Sequence, residues 1–247
     1  RLTDVTGVQT CALPILTYRK ALLLSERIEL VQSSCDDIKN YVSEGVPKSD
    51  RSRYDSGHSE ESVSLRAENY KMATLLVQAA RKKGWTIATA ESVSGGNLAS
   101  VLAWAPGAGS VFAGGAVCYK IEAKRKLLAV PDEREDDLYD LQTARDMAKG
   151  AQKLYEIRQQ EINPEESYFQ KPVMAIATTG RAVSYPGKWE GGVYVAIALP
   201  GGEVVASYFP HTFVNSRKQP DVARTKDEGM LVASQKAILY ALEWIEK

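Results

Sequence analysis

The sequence predicts a three-layer α/β/α sandwich built on a mixed sheet. Three observations lead there. From about Glu68 onward, apolar stripes at helical spacing alternate with short β-like runs. Pro200-Gly201-Gly202 lies between Val193–Leu199 and Val204–Phe209, which reads as a hairpin and so as an antiparallel pair. The remaining strand candidates are separated by helices, the arrangement parallel strands require.

Each element has its own signal. Met72, Leu75, Leu76, Ala79 and Ala80 recur at helical spacing, and Gly84 stops the run. Thr86–Ala90 is a short strand, Gly95–Trp104 a helix opened by two glycines, and Val111–Tyr119 a second strand. Glu122–Leu128 is a short helix ending before Pro131. Leu138–Gln159 is a long helix with Leu141, Ala144, Met147, Ala148 and Ala151 on one stripe. Val173–Thr178 is a third strand ahead of the hairpin. Asp227–Glu246 closes the chain as a helix with Leu231, Ile238, Leu242 and Ile245 turned inward. Trp85, Trp104 and Trp244 read as core or edge packing, and Cys118 as a buried strand residue.

The chain before this region is different in kind. Residues 1–16 include Asp4–Ile15, DVTGVQTCALPI, which reads like a translated sequencing adapter and is set aside from fold reasoning. Residues 17–67 read as a disordered tail or linker. Tyr18–Val31 has the apolar spacing of a short helix, but Ser33–Arg66 shifts to Ser, Asp, Glu, Lys and Arg and buries too little apolar surface to offset its ordering entropy. The folded domain is expected over 68–247.

Composition closes off several functions. Lys and Arg together number 31, Asp and Glu also 31, and the pI is 6.9, so no excess of positive charge exists to neutralise nucleic acid or anionic membrane. No apolar run reaches the length of a membrane span. Cys11, Cys35 and Cys118 are odd in number and far apart, and His58 and His211 stand alone. A disulfide framework and a Cys/His zinc site are therefore not expected, and the simplest compartment is a reducing, cytoplasmic one.

Two segments carry candidate chemistry. In Glu91-Ser92-Val93-Ser94-Gly95-Gly96 a strand runs straight into a helix start, where unpaired N–H groups and glycines can hold a phosphate or an oxyanion beside a serine. The plainer reading is a helix cap, and Glu91 either caps that helix, pairs with a lysine or takes part in catalysis. In the second segment Tyr119 ends a strand and Lys124 follows on a helix with Lys120, Arg125 and Lys126 nearby. Burial or neighbouring cations would bring a lysine amine toward neutrality and make it a base for serine. The plainer reading is a solvated basic face.

Together the segments resemble the C-terminal domain of the CinA (competence/damage-inducible) family, whose strings run close to A-E-S-C-T-G-G, P-G-x-S and Y-S-N-E-A-K. Here these stand as Ala90–Gly96, Pro106–Ser110 and Tyr119–Lys124, with Lys124 following Ser92 by 32 positions. Met147–Ala151, Thr179-Gly180, Val193–Ala196 and Phe213–Arg217 are similar to later family strings. The resemblance implies a metal-independent and cofactor-free amidohydrolase that converts nicotinamide mononucleotide and water to nicotinic acid mononucleotide and ammonia. By the same resemblance Ser92 attacks, Lys124 accepts the proton and Tyr119 orients Lys124 or the amide. Ser94 is a rival nucleophile or a substrate contact. The Gly95 and Gly96 amides lie near phosphate or oxyanion, Thr179 and Gly180 line the pocket, and Arg217 pairs with the phosphate. The expected partner is a small nucleotide rather than nucleic acid or membrane, with a homo-oligomer left open.

The chain departs from the family strings at four places. Val93-Ser94 replaces Cys-Thr, Ile121 replaces Asn, and Ser216 replaces the Asp before Arg217. Arg181–Gly187 replaces a glycine-rich loop, where Arg181 is either a new phosphate contact or a solvated residue, and Tyr185 and Trp189 are candidates to touch a ligand ring. These departures support a second reading, a non-catalytic nucleotide-binding or assembly domain on the same fold.

Overall fold

A computed structural model describes residues 60–131, 139–162, 171–182, 191–210, 213–214, 220–221 and 226–247, all within the unit Ser59–Lys247. Its centre is β1 (Thr86–Glu91), every residue of which is buried. Helix α1 (Glu60–Lys83) precedes it, and α2 (Asn97–Trp104) carries the chain across to β2 (Phe112–Val117). Helices α3 (Ile121–Leu128) and α4 (Leu141–Ile162) lead to β3 (Val173–Arg181). The hairpin β4 (Gly192–Ala198) and β5 (Val204–Pro210) follows. A two-stranded ribbon, β6 (Phe213–Val214) with β7 (Pro220–Asp221), stands ahead of α5 (Lys226–Ile245).

The sheet order is β2-β1-β3-β4-β5. β1 is parallel to both β2 and β3, whereas β3–β4 and β4–β5 are antiparallel, so the sheet is mixed as predicted. The helices between the parallel strands supply their crossovers. The hairpin turn uses Gly201 and Gly202 at φ 100° and 95°, the positive-φ pair that matches strand twist.

Alternation along the strands builds two unlike layers. One face presents Ile87, Met174, Ile176, Val195 and Ile197 to α1, α2 and α5. The other presents Ala88, Ala90, Ala175, Ala177 and Ala196, small side chains that let α4 approach with Ala144, Met147, Ala148 and Ala151. Helices cover both faces, so the architecture is the three-layer sandwich. Each fully buried Leu or Ile on the larger face contributes on the order of 1.5–3 kcal/mol.

Several boundaries differ from the sequence expectation. The first helix begins at Glu60, inside the stretch read as linker, because Val63 and Leu65 are buried and Leu65 packs with Leu231 and Val232 of α5. Arg66 pairs with Asp227 at 2.9 Å across the same seam. Helix α4 begins at Leu141, not Leu138, because Asp140 caps it, accepting from the Thr143 N–H at 2.6 Å. The short ribbon β6–β7 carried no sequence signal. Trp104 is 73% exposed at the end of α2, so it is not packing, while Trp85 and Trp244 pack against the larger layer. The helix read over Tyr18–Val31 and the acidic run Asp132–Asp137 lie outside the described residues, as does residues 183–190 of the rebuilt loop. Among the described residues no helix is long and apolar enough to cross a membrane.

Candidate active site

The site forms where β1 and β3 end side by side. Past Glu91 the chain turns through Ser92–Gly96 into α2, with Gly95 and Gly96 at φ 61° and 98°, a left-handed pair that glycine adopts without steric cost. Glu91 is fully buried and bends its carboxylate back over this turn. Oε2 accepts from Ser94 Oγ at 2.7 Å, from the Gly96 N–H at 2.9 Å and from the Leu98 N–H at 3.1 Å. Oε1 accepts from the Ala99 N–H at 2.7 Å. Glu91 is thus a helix cap delivered from the preceding strand, neutralising the positive end of α2.

This changes the reading of three residues. The Gly96 amide is engaged by Glu91, and the Gly95 amide donates to the Ser92 carbonyl at 3.2 Å. Neither is turned to a ligand. Ser94 is fully buried, its hydroxyl shared between Glu91 and Thr178 Oγ1 at 2.6 Å. It is a structural hydroxyl and not a rival nucleophile or a substrate contact.

Ser92 takes no part in that network. Its N–H donates to the Thr178 carbonyl at 2.9 Å, extending the β1–β3 ladder by one residue and setting Ser92 beside Thr179. Its side chain lies on the wall of a cleft of about 430 Å³, together with Tyr119, Tyr139, Gly180, Arg181 and Lys226. Thr179 and Lys124 stand just behind this wall. Lys124 reaches in from α3, 2% exposed, and its Nζ donates to Thr179 Oγ1 at 3.3 Å. The Tyr139 ring lies 5.6 Å from the same Nζ. Burial lowers the Lys124 pKa, and the neighbouring Cys118 thiol works weakly the other way. The neighbouring cations named from sequence are not the cause, since Lys120 and Lys126 are exposed. Burial also raises the Cys118 thiol pKa, with Lys124 opposing.

Tyr119 does not hold Lys124. It is 55% exposed, and Lys226 Nζ sits over its ring at 5.3 Å. The ring against Lys124 is Tyr139, and Arg181 lies over it at 4.8 Å from the other side of the cleft wall. Sequence reasoning missed Tyr139 and Lys226. Tyr139 did carry a weak signal, as the residue preceding an Asp that caps a helix, a position that often packs inward. Arg181 lines the cleft, which favours the ligand-facing alternative for it. Arg217, Tyr185 and Trp189 lie outside the described residues. Among the described residues there is no cluster of three or more His, Cys, Asp or Glu that could hold a metal ion.

Residues 69–159, which hold Ser92, Lys124 and Glu91, match the family model of the CinA C-terminal domain. That part of the chain is similar to a CinA C-terminal domain. A Limosilactobacillus reuteri protein named as competence-damage inducible is 38% identical over 88 residues, covering 35% of this chain and 21% of that protein. A CinA-like protein of Flavobacterium psychrophilum is 32% identical over 140 residues, 55% of this chain and 30% of its own length. The chain thus spans less than a third of these relatives. The fold matches a crystal structure of a CinA superfamily protein from Klebsiella pneumoniae with TM-score 0.55 and 21% identity, covering 72% of this chain and 98% of that one. A competence/damage-inducible protein from Agrobacterium tumefaciens matches with TM-score 0.54 and 24% identity over 73% of this chain and 96% of that one. The described domain therefore has the fold of those structures.

Proposed function

We propose that this domain is a Ser/Lys amidohydrolase that deamidates nicotinamide mononucleotide. The observation that carries the reading is the burial of Lys124: an amine drawn out of water, with lowered pKa, at the end of the sheet where Ser92 faces the cleft. An uncharged amine accepts a proton, whereas a solvated lysine at neutral pH does not.

In this mechanism Ser92 Oγ attacks the carboxamide carbon as Lys124 takes the hydroxyl proton. Thr179 accepts a hydrogen bond from the amine and holds its direction. The tetrahedral intermediate collapses with cleavage of the C–N bond, and Lys124 returns its proton to the leaving ammonia. Water then attacks the acyl-Ser92 ester, giving up a proton to Lys124. The tetrahedral intermediate collapses with cleavage of the C–Oγ bond, Lys124 returns that proton to Ser92 Oγ, and the acid product loses its remaining proton to solvent and leaves as the carboxylate. Splitting amide hydrolysis this way replaces one hard step by two easier ones. The cleft is in the size range of small-molecule sites.

The test is ammonia release from nicotinamide mononucleotide by the purified chain, against Ser92→Ala and Lys124→Met. Either substitution is expected to lower kcat by about 10³ or more. A second reading, a nucleotide-binding domain without turnover, is supported by one observation: Glu91 occupies the α2 amides that would otherwise stabilise an oxyanion. Binding of the mononucleotide by calorimetry with no ammonia from the wild type would select it.

A further inference from the structure

Lys124 is almost sealed from solvent although a cleft opens beside it. A lysine that accepts protons near neutral pH needs such a seal, because water around Nζ stabilises the ammonium and returns the group to its ordinary range. Two side chains meet the amine. Thr179 Oγ1 accepts from Nζ at 3.3 Å and is itself buried. The Tyr139 ring has its centroid 5.6 Å from Nζ. Tyr139 alone belongs to both environments: its ring lies against the amine, and its outer surface, 36% exposed, is part of the cleft wall.

The ring is held from two directions. Asp140, the next residue, caps α4, accepting from the Thr143 N–H at 2.6 Å and from Thr143 Oγ1 at 3.1 Å, so the backbone at Tyr139 is tied to that helix. From β3, Arg181 packs on the same ring at 4.8 Å. Charge does not account for the lowered basicity of Lys124. Cys118, after β2, works in the opposite direction. Glu91 of β1 is bonded to the α2 amides and Asp140 to Thr143, while Lys120 and Lys126 of α3 are exposed. The face of a ring attracts a cation and pulls the lysine pKa up, whereas cover from water pushes it down. The net direction is down, with burial the largest cause, so cover prevails.

We propose that Tyr139 is a positioning residue that forms the partition between Lys124 and the cleft, keeping water from Nζ and holding the amine on Thr179. Thr179 stands beside Ser92 at the strand ends, so an amine held there is held next to the hydroxyl. Tyr139 acts through Lys124 and on no reacting atom. This role rests on Lys124 being the base of the proposed reaction.

The test is the pH dependence of kcat/KM for nicotinamide mononucleotide, which reports the base of the free enzyme. Tyr139→Ala admits water to the amine and is expected to move the rising limb up by about one pH unit or more. Below the wild-type midpoint the rate then falls about tenfold per unit, and it recovers at the alkaline plateau. Tyr139→Phe keeps the ring and is expected to leave the limb in place. A limb unmoved in Tyr139→Ala, or moved as far in Tyr139→Phe, overturns the proposal. Should Tyr139→Ala not fold, Tyr139→Val opens the same side with less loss of packing and is judged in the same way. A second measurement needs no turnover: the labelled Lys124 side chain is titrated by NMR, with Lys124→Met identifying its signal. The same upward shift is expected in Tyr139→Ala and none in Tyr139→Phe. If the wild type releases no ammonia, the amidase reading fails and this titration alone decides. Identical titration in all three proteins overturns the proposal.

Discussion

The two strand ends at this site, β1 and β3, make opposite use of the same opportunity. At the end of β1 the chain enters a helix through two glycines, and the Ser94 hydroxyl and the Gly96, Leu98 and Ala99 amides are all turned inward onto Glu91. At the end of β3 Arg181 stacks on Tyr139 at the cleft, and Thr179, itself buried, receives the buried amine of Lys124. The first region is closed on an internal carboxylate, while the second brings a cation to the cleft wall and a hydroxyl to the buried amine. A glycine-opened helix start is an anion site only when no internal carboxylate can reach it. Here the preceding strand ends in one that does.

The largest expected effects come from treating the two serines of the β1 turn alike. Ser92→Ala should remove ammonia release, by about 10³ or more in kcat, without a change in stability beyond a few tenths of a kcal/mol. Ser94→Ala should do the reverse, costing about 1–2 kcal/mol in urea unfolding, because Glu91 and Thr178 lose a buried partner. Equal loss of activity without loss of stability in both variants would erase the distinction between them.

Next in size is Glu91→Gln. The amide keeps the shape of the side chain but turns an N–H₂ donor toward amides that are themselves donors. We expect a loss of roughly 2–4 kcal/mol in urea unfolding and earlier hydrogen exchange at Leu98 and Ala99. Wild-type stability in this variant would mean that the carboxylate is not the cap.

The lysine side of the comparison is sharpened by pH. The Lys124 pKa is lowered from 10.5 by burial, so its charged form is disfavoured in the folded chain relative to the unfolded one. That penalty is full below the folded pKa and disappears as pH rises past the unfolded value. Lys124→Met should therefore stabilise the domain at neutral pH, by about 1.4 kcal/mol for each unit of lowering. The gain should shrink toward pH 10.5. In the wild type the rate should climb with pH as the amine loses its proton, and the profile should reach its plateau below the ordinary lysine range. The smallest effect is expected at Trp104→Ser, within about 0.5 kcal/mol by thermal melting, since that ring is 73% exposed and far less embedded than its size suggests.

Much of the fold was legible because its signals are local. The short β-like runs of β1 and β3, the apolar stripe of α4 and the Gly201-Gly202 turn each follow from a few neighbouring residues. The start of α1 was not legible, because Leu65 sits in a polar stretch and packs against Leu231 and Val232 of α5, far away in the chain. Within the site, the Ser92 and Lys124 candidates rested on a family resemblance, and the cap by Glu91 was one of three readings left open. Lys226 was invisible, and Tyr139 carried only the weak signal of preceding a capping Asp, since nothing near either of them in the chain marks a cleft.

By itself the sequence determined the order of helices and strands, the mixed sheet and the absence of an excess charge, because periodicity, turn chemistry and composition are local or additive. Only the tertiary structure decided which groups are spent on holding the fold and which remain for a ligand. That choice depends on distance and burial between residues far apart in the chain: Glu91 closing its own helix, Lys124 desolvated against Thr179, and Arg181 and Lys226 brought to one cleft. Hydrogen-bonding capacity is finite, and a site consists of what folding leaves unspent.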